Sequence, residues 1–198
     1  IANNGDMLVG GSACWLQPTD CTLTGFGSSL PVVDDGSDAW FARIGPGGEA
    51  LWSMIIGSKG FDTIHSISEA PDGSIYVAGT FCQNYNLLCS ISIGDNTHQS
   101  NGVSDVMIIK LSAQGDVLWS KSFGSGAADN NMWNSWYSLN QKGIVATSDG
   151  GLLMSGYGCE GWDANCMMTI APGYSVANHN PFIVKYDENG TVESLSVM

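Results

Sequence analysis

Apolar and polar residues alternate along this chain in runs of about seven, and the runs recur. In Asp6–Cys21, DMLVGGSACWLQPTDC, the side chains of Met7, Val9 and Gly11 fall on one side. Those of Leu8, Gly10 and Ser12 fall on the other. A period of two is the mark of a β-strand. The same object returns at Ser74–Cys89, SIYVAGTFCQNYNLLC, and at Gly151–Cys166, GLLMSGYGCEGWDANC. Each copy follows a turn dipeptide: Asn4-Gly5, Asp72-Gly73 or Asp149-Gly150. Each has a glycine three residues before its first cysteine, at Gly11, Gly79 and Gly156, and six residues between its cysteines.

A second set of strands is as regular. Asp38 opens DAWFARI, Asp105 opens DVMIIKL and Asn180 opens NPFIVKY, at offsets of 67 and 75 residues. Trp40, Met107 and Phe182 correspond, as do Ala42, Ile109 and Val184. Arg43, Lys110 and Lys185 occupy one repeated position. The simplest expectation for them is an outward-facing charge on a half-buried strand, which also discourages edge-to-edge pairing. The sharper one is a repeated ion pair with an acidic neighbour. The turns GPGGE, SAQGD and DENGT follow, aligned on Gly48, Gly115 and Gly190. Glycine there supplies the positive φ of a tight hairpin. Next come ALWSMIIGS and VLWSKSFGS, in which Trp52 matches Trp119. The third copy, VESLSVM, has Ser194 at that place. Past Asp62 a third strand is expected at Thr63–Glu69. In the second copy the path from Asp129 to the next Asp-Gly is longer and contains NNMWNSWYSLNQKG. Residues Thr22–Ser37 read as a loop.

The predicted fold is all-β, in four-stranded antiparallel blade-like repeats of β-propeller type, with a local disulfide loop in each repeat. The expected division is residues 1–37, a last strand with its disulfide loop; 38–104, a full unit; 105–179, a full unit with an insertion; and 180–198, the first two strands of a further unit. Two whole units are too few to close a ring, so an incomplete ring or an open, stacked array is expected.

The segments SDAWFARIGPGGEALWSMIIGSKGFDTIHSISEAPDGSIYVAGT and SDVMIIKLSAQGDVLWSKSFGSGAAD, followed by SDGGLLMSGYG, resemble the β-propeller repeat family of large secreted and surface proteins. The resemblance covers most of the chain outside the cysteine loops. It implies four-stranded blades and an extracellular scaffold or surface role, and it carries no catalytic residues. The C-x6-C loops and the insertions between strands depart from the family pattern.

Composition narrows the function. Charged residues are only 13% of the chain and the formal net charge is −13. An acidic surface does not bind phosphate backbones, which excludes nucleic acid as a partner. No run of 18 apolar residues occurs, so no membrane-spanning helix is expected. The chain opens IANNGD, without an initiator Met or a signal sequence, and reads as a processed product or a segment of something longer.

Six cysteines in three equal spacings point to an oxidising compartment and to the pairs Cys14–Cys21, Cys82–Cys89 and Cys159–Cys166. Two thiols per loop without histidine do not make a zinc site, and the C-x-x-C of redox centres is absent. His65, His98 and His179 lie in unrelated repeat contexts, and no hydrolase, zinc-protease or phosphate-loop motif is present. Asp34, Asp35 and Asp38 are weak calcium candidates, and otherwise no cofactor is expected. Asn189-Gly190-Thr191 is a glycosylation sequon within a hairpin turn.

Trp15 and Trp162 lie in cysteine loops, and Trp133 and Trp136 in the insertion. They are candidate contacts for a ligand or another subunit. The function expected is a non-catalytic extracellular structural protein whose partners are copies of itself or further repeats. The alternative is a carbohydrate-binding module that stacks glycans on the loop tryptophans.

Overall fold

The computed structural model describes residues 1–14, 22–24, 30–31, 36–83, 88–126, 143–158, 166–177 and 180–198. Its described elements are all strands and turns. The first sheet has three strands in the order β1 (Met7–Ala13), β4 (Asp38–Ile44), β5 (Ala50–Ile56). Between β1 and β4 lies a short hairpin of β2 (Thr22–Leu23) and β3 (Leu30–Pro31). The second sheet is a four-stranded antiparallel meander of β6 (Phe61–Glu69), β7 (Ile75–Gln83), β10 (Asp105–Leu111) and β11 (Val117–Phe123). A hairpin of β8 (Ser90–Ile93) and β9 (Asn96–Gln99) interrupts it. The third sheet repeats the plan with β12 (Ile144–Ala146), β13 (Leu152–Tyr157), β16 (Pro181–Tyr186) and β17 (Val192–Val197). Its inserted hairpin is β14 (Met167–Ala171) and β15 (Tyr174–Ala177). Among the described residues the sheets form no closed ring.

The turns explain why these strands pair as they do. In the turn after β4, Gly45 N donates to Glu49 O and Gly48 N to Gly45 O. Corresponding pairs of bonds close the turns after β10 and β16. Gly115 in the second of these sits at φ +93°, a conformation in which a Cβ would clash with the backbone. A type I turn followed by such a residue leaves a one-residue bulge. The register does shift there, at Arg43/Ile44, Lys110/Leu111 and Lys185/Tyr186.

The three sheets stack face to face. Ala39, Phe41 and Ile56 of the first pack with Val77, Met107 and Ile109 of the second. Tyr76, Ala78 and Ile108, on the other face of the second, pack with Met154, Phe182 and Val184 of the third. The middle sheet is therefore covered on both sides, and every residue of β10 is buried. In the third sheet β13 alternates buried and exposed, because only one face is covered.

The sheets are out of phase with the units expected from the sequence. Strands β6 and β7 share a sheet with β10 and β11, across the expected boundary at 105. Residues 180–198 supply β16 and β17, which complete the third sheet instead of opening a further one. The reason lies in the connections. The four residues from Gly57 to Gly60 look like a hairpin loop but carry the chain from the first sheet to the second. The long, cysteine-bearing connection from β7 to β10 stays within one sheet.

Candidate functional site

The chemistry concentrated in this molecule lies where one sheet meets the next. Arg43 and Trp52 face each other across β4 and β5, and Lys110 and Trp119 do so across β10 and β11. Each pair reaches forward to a turn of the following sheet. Trp52 donates its indole N–H to Ala113 O at 3.0 Å, and Arg43 Nη1 donates to the same oxygen at 3.4 Å. Trp119 and Lys110 both donate to Glu188 O, each at 3.0 Å. A carbonyl has two lone pairs, so one turn oxygen satisfies a ring N–H and a cation together.

The indole rings also lie against the turn glycines. A Cβ built on Gly115 would come within 3.0 Å of the Trp52 ring, and one on Gly190 within 3.1 Å of Trp119. Phe41 meets Trp52 edge-on, with centroids 6.3 Å apart. Lys110 Nζ lies 5.2 Å from the centre of the Tyr76 ring, and the Tyr76 hydroxyl donates to Gly150 O at 2.7 Å. Burial first, and then the carboxylates of Asp72, Glu188, Asp187 and Asp149, push the Tyr76 phenol up to about 12, so it stays a donor.

The three basic residues divide between the two expectations. Arg43 and Lys110 are buried, not outward-facing, because the next sheet covers them. The acidic partner is not repeated throughout. Arg43 Nε pairs with Asp6 at 2.6 Å and Nη2 with Glu69 at 3.3 Å. Lys185 pairs with Asp149 and Glu193. Lys110 has the turn carbonyl and an aromatic face instead. The Arg43 hydrogen bond, with a second from Asn4, holds the Asp6 carboxyl below its usual range. Lys185 does the same for Asp149, and its own pKa is raised in return.

The second concentration of polar groups surrounds the one disulfide both of whose cysteines are described, Cys82–Cys89. Asp62 Oδ2 accepts from Ser58 N at 2.6 Å. Its Oδ1 accepts from Ser58 Oγ at 2.7 Å and from Cys82 N at 2.9 Å. Asp62 N donates to Ser37 O, so this one residue ties the corner between the first two sheets to the base of the cysteine loop. Burial pushes its carboxyl up to about 7, against the hydrogen bonds from Ser58 and Cys82. Ser100 Oγ accepts from Cys89 N at 3.0 Å and pins the other end of the loop.

Cys14 and Cys166 are disulfide-bonded as well. Cys21, Cys159, Trp15, Trp162, Trp133, Trp136, Asp34, Asp35 and His179 lie outside the described residues. Asp38 is fully buried at the start of β4. Among the described residues no three His, Cys, Asp or Glu side chains gather as a metal site would require. No described helix is long and apolar enough to cross a membrane. Asn189 is exposed in the turn that receives Lys110 and Trp119, while Gly190 of its sequon is buried.

His98 bridges two serines of β11, with Nε2 2.8 Å from Ser120 Oγ and Nδ1 3.2 Å from Ser122 Oγ. Among the described residues no carboxylate completes this into a catalytic relay, and the contacts fix the β8–β9 hairpin to the sheet. That hairpin and its counterparts β2–β3 and β14–β15 were not expected from the sequence. Gly94-Asp95 within SISIGDNTHQ and Pro172-Gly173 within MMTIAPGYSVA are the turn signals that mark two of them.

No protein-family model matches the chain, and no curated protein matches it significantly.

Proposed function

We propose that this chain is a non-catalytic structural subunit of an extracellular or cell-surface assembly. In this reading its sheets are blades of β-propeller type, completed and extended by neighbouring copies of the chain or by further repeats. One observation carries the reading. The second and third sheets have a first strand, β6 or β12, hydrogen-bonded to the edge of β7 or β13, whereas among the described residues β1 pairs only with β4. An open edge of this kind is a template for a strand from outside, and β-augmentation is the known way of filling it. The disulfide in the β7–β10 connection fits an oxidising medium. The concentration of buried polar contacts between sheets fits a scaffold, since those groups are spent on cohesion. Sedimentation and electron imaging of the mature native chain test the reading. Ordered oligomers or filaments are expected. A chain that stays monomeric at all concentrations overturns it.

A further inference from the structure

The first sheet begins on a turn that in the other two sheets belongs to a hairpin. Ala2 N donates to Asp6 O at 2.7 Å and Gly5 N to Ala2 O at 3.0 Å. The same pair of bonds joins Ala70, Gly73 and Ser74, and again Thr147, Gly150 and Gly151. In the second sheet the turn is entered from β6, with Glu69 opposite Ile75. In the third it is entered from β12, with Ala146 opposite Leu152. By the same count Ile1 falls opposite Met7, and it is 97% exposed.

Antiparallel pairs alternate between those that exchange hydrogen bonds and those that do not. The bond from Ala2 N to Asp6 O therefore fixes which groups of β1 face away from β4: the N–H and C=O of Leu8 and Gly10. Gly10 is exposed, and among the described residues no strand bonds these groups. Their equivalents Tyr76 and Ala78 are paired with Ser68 and Ser66 of β6.

The serines of β6 also reach the next sheet. Ser66 Oγ accepts from Ile144 N at 3.4 Å, and Ser68 Oγ from Ala146 N at 2.9 Å. Two hydroxyls at alternate positions thus satisfy the outward amides of β12. In β6 the places of Ile144 and Ala146 are held by Ile67 and Glu69, opposite Val77 and Ile75. The bond from Ala70 N to Ser74 O turns their N–H groups away from β7. Among the described residues no side-chain oxygen accepts from either. Ile67 packs beside β1, with its Cδ1 3.0 Å from a Cβ built on Gly10, so this row of amides runs alongside the edge of β1.

We infer that the edge of β1 is the docking site of one extended protein strand of the β6 kind, supplied by a neighbouring molecule of the assembly. It runs antiparallel to β1, with hydroxyl side chains opposite Leu8 and Gly10 and an apolar one opposite Val9. Its backbone bonds Leu8 and Gly10, and its two hydroxyls accept from Glu69 N and Ile67 N. Serine or threonine is required at those two places, because a short side chain with an oxygen at the γ position repeats the reach of Ser66 and Ser68. Nothing in β1 (MLVGGSA) opposes the approach: it has no ionisable side chain, no proline and no register shift, the devices that protect an edge.

The site rests on the assembly reading and specifies what its open edge accepts. Its test joins FDTIHSIS, the sequence of Phe61–Ser68, directly to Ile1. Tethering brings the strand to an effective concentration of about millimolar, so weak affinity does not hide its docking. Amide hydrogen exchange is followed by NMR. Exchange at Leu8, Gly10, Ile67 and Glu69 is expected to slow by about tenfold, the worth of one net hydrogen bond each. With alanine for both tethered serines, Leu8 and Gly10 should stay protected and Ile67 and Glu69 should not. The tethered chain fills its own edge and is expected to sediment as a monomer. If it does not fold, the free peptide FDTIHSIS added to the wild-type chain gives the same four readings. Unchanged exchange at Leu8 and Gly10 overturns the inference. Protection of Ile67 and Glu69 by the alanine version overturns the role given to the hydroxyls. A protected, tethered chain that assembles like the wild type overturns the neighbour as donor while leaving self-assembly standing. A wild-type chain that never associates overturns the assembly reading and the neighbour as donor, and protection of the four amides would still locate the strand site.

Discussion

Trp119 donates its indole N–H to the carbonyl oxygen of Glu188, 3.0 Å away and 69 residues along the chain. The bond joins the second sheet to a turn of the third, and Trp52 makes the same bond to Ala113 one sheet earlier. A repeated strand position has thus become a repeated fastening between layers.

Trp119→Phe keeps an aromatic ring in place but removes the N–H and part of the indole that packs against Gly190. Glu188 O retains Lys110, so no buried acceptor is orphaned. The expected loss is at least about 1 kcal/mol, the net worth of a typical hydrogen bond, with lost packing added to it. Urea unfolding checks it. Adding Lys110→Met leaves the carbonyl without either donor, and the loss in the double variant should exceed the sum of the two single losses.

Replacing Cys82 and Cys89 together by serine removes a short covalent loop. Chain entropy alone puts the cost at about 2.5 kcal/mol. Both sulfurs are also buried in the core between the first two sheets, so the measured loss should be at least this large. Denaturant unfolding of the double variant, with and without reductant, decides it. Reductant should have little further effect on the variant through this loop.

The glycine three residues before the first cysteine has different consequences in different sheets. A Cβ on Gly79 would sit 2.0 Å from Thr63 O, where β6 runs alongside. Gly79→Ala must push that strand away, at a cost of about 3 kcal/mol. On Gly11 the same atom finds only Trp40 Nε1, at 3.8 Å, because among the described residues no strand pairs on that side of β1. Gly11→Ala should therefore fall within about 0.5 kcal/mol of the wild type. Equal losses at both positions would contradict this account of the open edge.

Two carboxylates give stability opposite slopes with pH. Asp62, raised to about 7 by burial, keeps its proton in the folded state after the unfolded chain has released its own near 3.8. Its contribution is complete below about pH 4 and disappears as pH rises through 7. Asp6, lowered by the Arg43 and Asn4 hydrogen bonds, contributes above its ordinary pKa and loses that contribution as pH falls further. Melting temperature should thus decline on both sides of a maximum near about pH 4 to 5. Asp62→Asn should flatten the alkaline limb between about pH 4 and 7, and Arg43→Met should flatten the acid limb. An unchanged slope in Asp62→Asn would show that another group controls that limb.

The candidate site was partly legible in advance. The correspondence of Arg43, Lys110 and Lys185, and of Trp52 and Trp119, is plain from spacing. The acceptor they share was not. Cross-strand neighbours can be read from a hairpin, but the oxygen they share belongs to a turn 61 to 78 residues away. Asp62 was visible only as a residue after Gly-Ser, because its three donors come from a corner and a cysteine loop that meet only on folding. The hairpins after the cysteine loops escaped notice because four-residue strands give too short an alternation to separate from loop.

What the sequence by itself determined was local: which of the longer segments are strands, where the glycine turns between them fall, and that the pattern repeats. Those properties depend on φ, side-chain alternation and turn chemistry within a few residues. What only the tertiary structure decided was the phase of the sheets and the burial of the charges. Pairing of β7 with β10 bridges a long, disulfide-closed connection, while the short link from β5 to β6 leaves the sheet. Loop-closure entropy grows only slowly with length, so hydrogen bonding and apolar burial between distant segments outweigh proximity in sequence. Whether a lysine on a strand faces water or a carbonyl depends in turn on whether another sheet follows. Lys110 has one over it, and Lys185 has none among the described residues.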